Sequence, residues 1–275
     1  MPQSLSPSRR RLLHALPLAG LGAVAGLAGC RSGAPAPDTG RFVRRTVKIA
    51  GRSARYQVFV PAAARSRPLP VVLFLHGSGE RGDDGEAQVQ AGLGPYVRAH
   101  AADFPALVVF PQSPADASWE GDTATLALAT LDAATAEFGG DDRRTYLTGM
   151  SRGGYGTWSL ALRAPGRFAA LVPVCGGITP PGTRPDLDNL QVESTAGTAD
   201  PFAAAAQSLR HIPSWAFHGA RDDVVPPEQS RRMVAALQHV GADVRYTEFP
   251  DANHNSWDAA YGMPELWTWL FAQHR

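Results

Sequence analysis

Ser151 lies in Gly149-Met150-Ser151-Arg152-Gly153, a serine with a glycine two residues away on either side. A β-prone run, Tyr146-Leu147-Thr148, leads into it, and Thr157-Trp158-Ser159-Leu160-Ala161-Leu162 behind it reads as a helix. Strand, sharp turn and helix together hold a serine hydroxyl proud of a sheet edge. The glycines have a steric task, because a Cβ at either flank collides with the neighbouring strand or helix. The helix that follows points its N-terminus, with its partial positive charge, at the reaction centre. The chemistry suited to such a serine is nucleophilic attack. Serine is a weak nucleophile at neutral pH, so it needs a base, and the base needs an orienting acid. His254 supplies the base, from the polar loop Asp251-Ala252-Asn253-His254-Asn255-Ser256-Trp257. Asp222 or Asp223 supplies the acid: one carboxylate reaches the histidine, and the other caps the helix that starts near Pro227. Asp222 is the favoured acid.

A tetrahedral intermediate also needs two N–H donors at its oxygen. The backbone amide of Arg152, the residue after the nucleophile, is one. The other is expected from the loop after 71–75, from Ser78 with Gly79 as the near alternative. The Arg152 side chain itself reads as a surface charge. Trp119, Trp158 and Trp257 lie near strand-end loops or the nucleophile helix and are candidate walls for an aromatic acyl group or a sugar; core packing is the competing reading. Arg81, Asp83 and Asp84 are expected to hold their own loop through ion pairs and turn bonds. His76 and His218 each precede a glycine at a strand end and read as loop braces. Cys175 reads as an inert buried thiol. There is no clustered His/Cys spacing for zinc and no dinucleotide fingerprint, so neither a metal nor a cofactor is implied.

These residues need a scaffold. Segments 42–49 and 55–60 alternate around Ala50-Gly51-Arg52-Ser53 and predict an antiparallel hairpin. Val71-Val72-Leu73-Phe74-Leu75 is continuously apolar, as in a central strand covered on both faces. Further strands are predicted at 107–110, 146–148, 170–174, 214–217 and 244–249. Helices are predicted at 88–102 with an interruption near Gly92, and at 123–138, 202–209, 228–239 and 265–273. Residues 178–200, rich in Pro, Gly, Thr and Asp, read as an irregular insertion near the site. Strands alternating with helices imply a mostly parallel sheet with helices on both faces. Such sheets bind ligands beyond the carboxyl ends of their strands, where every loop named above falls.

Ser, Asp, His along the chain is the order of α/β-hydrolases. Three stretches resemble the esterases of that superfamily: Leu75-His76-Gly77-Ser78-Gly79-Glu80-Arg81-Gly82-Asp83, Gly149-Met150-Ser151-Arg152-Gly153-Gly154, and Ala216-Phe217-His218-Gly219-Ala220-Arg221-Asp222-Asp223-Val224-Val225-Pro226. The group includes feruloyl-esterase, polyhydroxybutyrate-depolymerase-like and phospholipase/carboxylesterase-like enzymes, some labelled predicted peptidases. The likeness covers about residues 42–273. It implies an α/β-hydrolase fold, with Ser151 as nucleophile, His254 as base and Asp222, in the His-Gly-x-x-Asp pattern, as acid. The segment 178–200 is longer than the connection usual in compact members, and the resemblance does not name a substrate.

The chain has 275 residues, 44% hydrophobic and 19% charged, with a net charge of +1. That is ordinary globular composition. Three arginines in an N-terminal stretch without acidic residues more than account for the surplus, so nothing points to nucleic-acid binding. Two cysteines, Cys30 and Cys175, exclude a disulfide framework. Arg9-Arg10-Arg11 precedes an apolar run, 12–28, that ends in Leu27-Ala28-Gly29-Cys30. This segment resembles a bacterial twin-arginine signal joined to a lipoprotein box. The resemblance implies cleavage of residues 1–29, a lipid on Cys30, a tether at 30–41 and a catalytic domain at 42–275, exported to the bacterial cell envelope and held at a membrane by its lipid anchor. The expected activity is a serine esterase acting on a small-molecule or polymer-linked ester, with aryl and carbohydrate-linked esters as candidates. A prolyl-oligopeptidase-like serine peptidase or amidase and a non-catalytic envelope-anchored binding protein are the alternatives.

Overall fold

The computed structural model describes residues 39–49, 51–62 and 68–275. The expected signal segment, Cys30 and most of the expected tether fall outside them. A hairpin opens the fold: β1 (Arg41–Ile49) and β2 (Arg52–Val60) pair antiparallel, from Arg41 opposite Val60 to Ile49 opposite Arg52. Six more strands follow: β3 (Leu69–Leu75), β4 (Leu107–Pro111), β5 (Gly140–Met150), β6 (Ala170–Val174), β7 (Ser214–Gly219) and β8 (Val244–Phe249). They form one sheet in the order β1-β2-β4-β3-β5-β6-β7-β8. β2 meets β4 antiparallel, and every pair from β4 to β8 is parallel.

Parallel pairing requires crossovers, and five helices occupy the connections from β3 to β8, α1 (Leu93–Ala99), α2 (Gly121–Phe138), α3 (Arg152–Arg163), α4 (Pro201–Leu209) and α5 (Glu228–His239), while α6 (Trp257–Tyr261) and α7 (Pro264–Ala272) follow β8. β3 shows why helices must cover both faces. All of its residues are buried, with Val71, Leu73 and Leu75 in one core and Val72 and Phe74 in the other. The first core is closed by α2, α3, α4 and α5, the second by α1, α6 and α7. Each fully buried side chain of this kind contributes about 1.5–3 kcal/mol relative to exposure.

Three elements differ from expectation. The stretch 88–102 is one short 3₁₀ turn (Ala87–Val89) followed by α1, broken at Gly92, which has φ 63°. A side chain there would strike Met150 and Phe74. β5 begins at Gly140, six residues before the apolar run that predicts it. The five-residue α6 has no counterpart in the periodicity. Segment 178–200 is irregular, as expected, with two single 3₁₀ turns, Pro185–Leu187 and Glu193–Thr195. It is not loose: Gln229 Oε1 accepts from the Ile178 amide at 3.1 Å, Tyr155 donates its hydroxyl to the Thr179 carbonyl, and Leu187 and Leu190 pack with Tyr155 and Val225. The carboxyl ends of β3, β5, β6, β7 and β8 share one edge of the sheet, and the loops bearing Ser78, Ser151, Cys175, Asp222 and His254 all leave from it.

Candidate active site

Ser151 sits between the last residue of β5 and the first of α3, at φ 53° and ψ −119°. A non-glycine residue at such a φ carries about 1–3 kcal/mol of strain, held by its surroundings. Here the Ser151 amide donates to the Val174 carbonyl at 2.9 Å, and the Ser151 carbonyl accepts from Gly154 and Tyr155. The two flanking glycines are required by close approach. A Cβ on Gly149 would strike the Gly153 and Leu75 carbonyls, and one on Gly153 the Leu75 carbonyl.

His254 Nε2 is 2.9 Å from Ser151 Oγ, and His254 Nδ1 is 2.8 Å from Asp222 Oδ2. A carboxylate accepts only, so Nδ1 carries the proton and Nε2 is left to accept from the serine hydroxyl. The turn that follows β7, closed by the Asp222 amide on the Gly219 carbonyl, carries Asp222 back beneath the histidine. Asp222 Oδ1 accepts from the Val224 and Val225 amides, both at 2.9 Å. Burial alone would raise the pKa of this carboxyl. Hydrogen bonds from His218 and His254 and the Val225 amide outweigh burial and hold it well below the usual carboxylate range. Asp223 is exposed and does not cap α5: the helix starts at Glu228, after Pro227, without a side-chain cap, which corrects that expectation.

His218 belongs to the same constellation, beyond the loop-bracing role read from its sequence. It is fully buried, and its Nε2–H points at Asp222 Oδ2 (3.1 Å) and the Val225 carbonyl (2.9 Å). Its Nδ1 accepts from Ser230 Oγ at 2.7 Å. A chain of polar contacts therefore runs Ser230, His218, Asp222, His254, Ser151. The His-Gly-x-x-Asp spacing was the only signal for it, since a turn closed over four residues brings its ends together.

The two amides expected to face an oxyanion, those of Arg152 and Ser78, donate to no protein acceptor among the described residues. Gly77 brings the Ser78 loop over the nucleophile: a Cβ built on Gly77 would be 3.6 Å from Ser151 Cβ. The Arg152 side chain is not a surface charge. The residue is 2% exposed, and its Nε donates to Ser78 Oγ at 3.0 Å. Arg81 Nε donates to the Ser78 carbonyl at 3.1 Å. Asp84 holds its loop through turn bonds, Oδ1 accepting from the Glu86 and Ala87 amides and from Gln112 Nε2, but none of Arg81, Asp83 and Asp84 makes the expected ion pair among the described residues.

A cavity of about 330 Å³ opens on Ser151, walled by Gly77, Ser78, Met150, His254 and Trp257. Arg184, Asp186, Leu187 and Asn189 bring segment 178–200 to its rim. Of the three candidate tryptophans only Trp257 is there, its ring edge-on to His254 at 5.6 Å. Trp158 lies on the buried side of α3 in the core. Trp119 is buried as well: its indole N–H is held by the His76 carbonyl at 3.0 Å, and its ring borders a different cavity of about 260 Å³ near Arg55 and Gln112. Cys175 Sγ, an Asp222 oxygen and a His254 nitrogen lie within 4.8 Å of one another. Burial pushes the thiol pKa up, and the other two groups are committed to each other and to Ser151, so the set is arranged for proton transfer rather than for holding a cation.

A mostly parallel sheet with a strained serine after its central β5 and an Asp and a His on later strand-end loops defines the α/β-hydrolase fold. Residues 115–272 match the model of the prolyl oligopeptidase family, and the chain belongs to that family. It is 28% identical over 219 residues to a poly(3-hydroxyoctanoate) depolymerase of Pseudomonas fluorescens, covering 72% of each protein. It is also 28% identical over 217 residues to an uncharacterized secreted protein of Arthroderma benhamiae, covering 69% of this chain and 22% of that one. Among solved structures, a thermostable esterase superposes with a TM-score of 0.67 and 31% identity, over 85% of this chain and 63% of that one. The chain thus spans less than two thirds of the length of two of these relatives.

Proposed function

We propose that the chain is a serine hydrolase that cleaves carboxylic esters through an acyl-enzyme. The observation that carries this is the unbroken line from Ser151 Oγ to His254 to Asp222, at 2.9 and 2.8 Å. In this reading His254 Nε2 takes the hydroxyl proton as Ser151 Oγ attacks the ester carbonyl. The oxyanion meets the Arg152 and Ser78 amides. The proton then passes to the leaving alcohol, and the acyl group stays on Ser151. A water molecule, deprotonated by His254 in its turn, releases the acid. Asp222 keeps the imidazole in the required tautomer and balances its charge when protonated. The relatives described as an esterase and a depolymerase support ester over amide, and Trp257 beside His254 supplies an apolar wall for the acyl or alcohol part. Rapid mixing with 4-nitrophenyl butyrate tests this: a burst of nitrophenol close to one per protein molecule is expected, and none from Ser151→Ala. No burst and no labelling by a fluorophosphonate in the folded wild type would exclude the hydrolase.

The family name favours a second reading, peptide or amide cleavage by the same residues. An amine is a poorer leaving group than an alcohol, so matched ester and anilide panels separate the two; anilide turnover equal to ester turnover would favour the peptidase. Export and a lipid on Cys30 complete the proposal. It rests on the N-terminal sequence, and a relative described as secreted agrees with export. Among the described residues no helix is long and apolar enough to cross a membrane. Radiolabelled palmitate should enter the full chain and not Cys30→Ser.

A further inference from the structure

The cavity beside Ser151 has an unbalanced charge. Several other arginines sit against carboxylates, among them Arg45 on Glu137, Arg167 on Asp132 and Arg231 on Glu248. At the cavity rim Arg184 is paired with Asp186 at 2.6 Å. Arg81 and Arg152 differ. Among the described residues no carboxylate comes within ion-pair range of either. Both guanidiniums instead grip Ser78, one by its carbonyl and one by its hydroxyl, each using only Nε. Arg152 is almost wholly buried, and its Nη1 has no acceptor among the described residues. A buried cation without a counter-charge is costly, and arginine does not escape by losing its proton at neutral pH. Burial, and then the like charge of Arg81, push the Arg152 pKa down, with Asp186 acting weakly the other way. Glu80 also borders the cavity, its Oε2 buried without a partner among the described residues, but it lies beyond ion-pair range of both arginines.

Resting on the ester-hydrolase reading, we propose that this cavity receives an ester that carries a carboxylate a few bonds from the scissile carbonyl, gripped by Arg81 with Arg152 as the fixed charge behind it. The outer nitrogens of a guanidinium present a fork that matches a carboxylate. Arg81 lines the cavity, is half-buried, and has committed only its Nε. A carboxylate arriving there supplies the counter-charge that the two arginines lack. With Asp186 and Glu80 at the same wall, a monoanion balances the site better than a dianionic phosphate.

Two matched substrate pairs test this on the full chain. In the first the charge is on the acid side: 4-nitrophenyl hydrogen glutarate against its methyl ester. In the second it is on the alcohol side: 4-carboxyphenyl butyrate against 4-carbamoylphenyl butyrate. The charged member of one pair should have a kcat/KM about 10-fold or more higher, mainly through KM, and the preference should shrink with added salt. In Arg81→Gln the charged-to-neutral ratio should fall towards one. Equal cleavage within both pairs in the wild type, or a preference that survives Arg81→Gln, overturns the proposal. The neutral esters keep the two readings apart. If they are cleaved with no charge preference, only the carboxylate site fails; if they are not cleaved and Ser151 does not label, the hydrolase reading fails and the site with it.

Discussion

His76 and His218 stand at the ends of two parallel strands, β3 and β7, each fully buried and each followed by glycine. What they do differs with the loop that follows. After Gly77 the chain rises into a 3₁₀ turn over Ser151, and His76 is left to tie its own strand to the next loop. Its Nε2 accepts from the Ser113 amide at 3.1 Å, so its proton is on Nδ1, donated to the Gly77 carbonyl at 2.7 Å. After Gly219 the chain turns back at once, and Asp222 arrives against the His218 ring. One histidine is a brace, and the other is a donor to the carboxylate that orients His254. The same dipeptide at the same kind of strand end takes its role from whatever the loop folds back over it.

The comparison is broken most severely at Asp222, the group that one histidine touches and the other does not. Asp222→Asn keeps size and both backbone bonds but offers His254 Nδ1 an amide donor, which drives the imidazole into the wrong tautomer. We expect kcat to fall by about three to four orders of magnitude with the fold retained, read by steady-state kinetics and circular dichroism. A loss under tenfold would remove Asp222 from the line.

His76 should show itself in stability rather than in turnover. Burial pushes its pKa down to about 4, with the charges of Arg81 and Arg152 adding to the effect against the Gly77 hydrogen bond. Between about 4 and its ordinary value near 6.5 the unfolded chain then binds the extra proton, so stability falls as pH drops through that window. The full swing is about 3 kcal/mol. Urea midpoints at pH 7 and pH 4.5 should converge in His76→Gln relative to the wild type. An unchanged slope would mean that the ring is protonated in the fold.

This contrast also marks what the sequence could disclose. The nucleophile turn was legible because glycines at 149 and 153 and a strand-to-helix switch are local facts. His254 and Asp222 were legible because the parallel topology puts every strand-end loop on one edge. The N-terminal part of β5 was not, since Gly140-Asp141-Asp142-Arg143-Arg144 has no apolar pattern and is recruited by its neighbours in the sheet. Five residues of α6 are too few to show a period. Arg152 reads as exposed because charged residues mostly are; only the tertiary placement of Ser78 reveals a buried guanidinium. Trp158 and Trp119 sit beside the right motifs, but the phase of α3 and a bond to the His76 carbonyl turn both rings inward.

The other half of the comparison is tested at His218 itself. His218→Leu removes the N–H shared by Asp222 and Val225 and strands the Ser230 hydroxyl, whereas His218→Gln can still offer Asp222 a donor. Because Asp222 keeps two amides and His254, the expected loss in kcat for the leucine variant is about 10- to 100-fold, smaller than for Asp222→Asn, with KM little changed and partial recovery in the glutamine variant. A merely structural role predicts something else: lower thermal stability in both, with kcat per folded molecule intact. Ser230→Ala probes the far end of the chain, where only the acceptor side of a neutral imidazole is touched. Its effect should be the smallest, about 1 kcal/mol of stability with activity within a few fold, because His218 keeps the N–H that faces Asp222. If Ser230→Ala instead cost as much activity as His218→Leu, the hydroxyl would be setting the tautomer of His218, and the reach of the site would extend one residue further from the nucleophile than Asp222 and its two imidazoles.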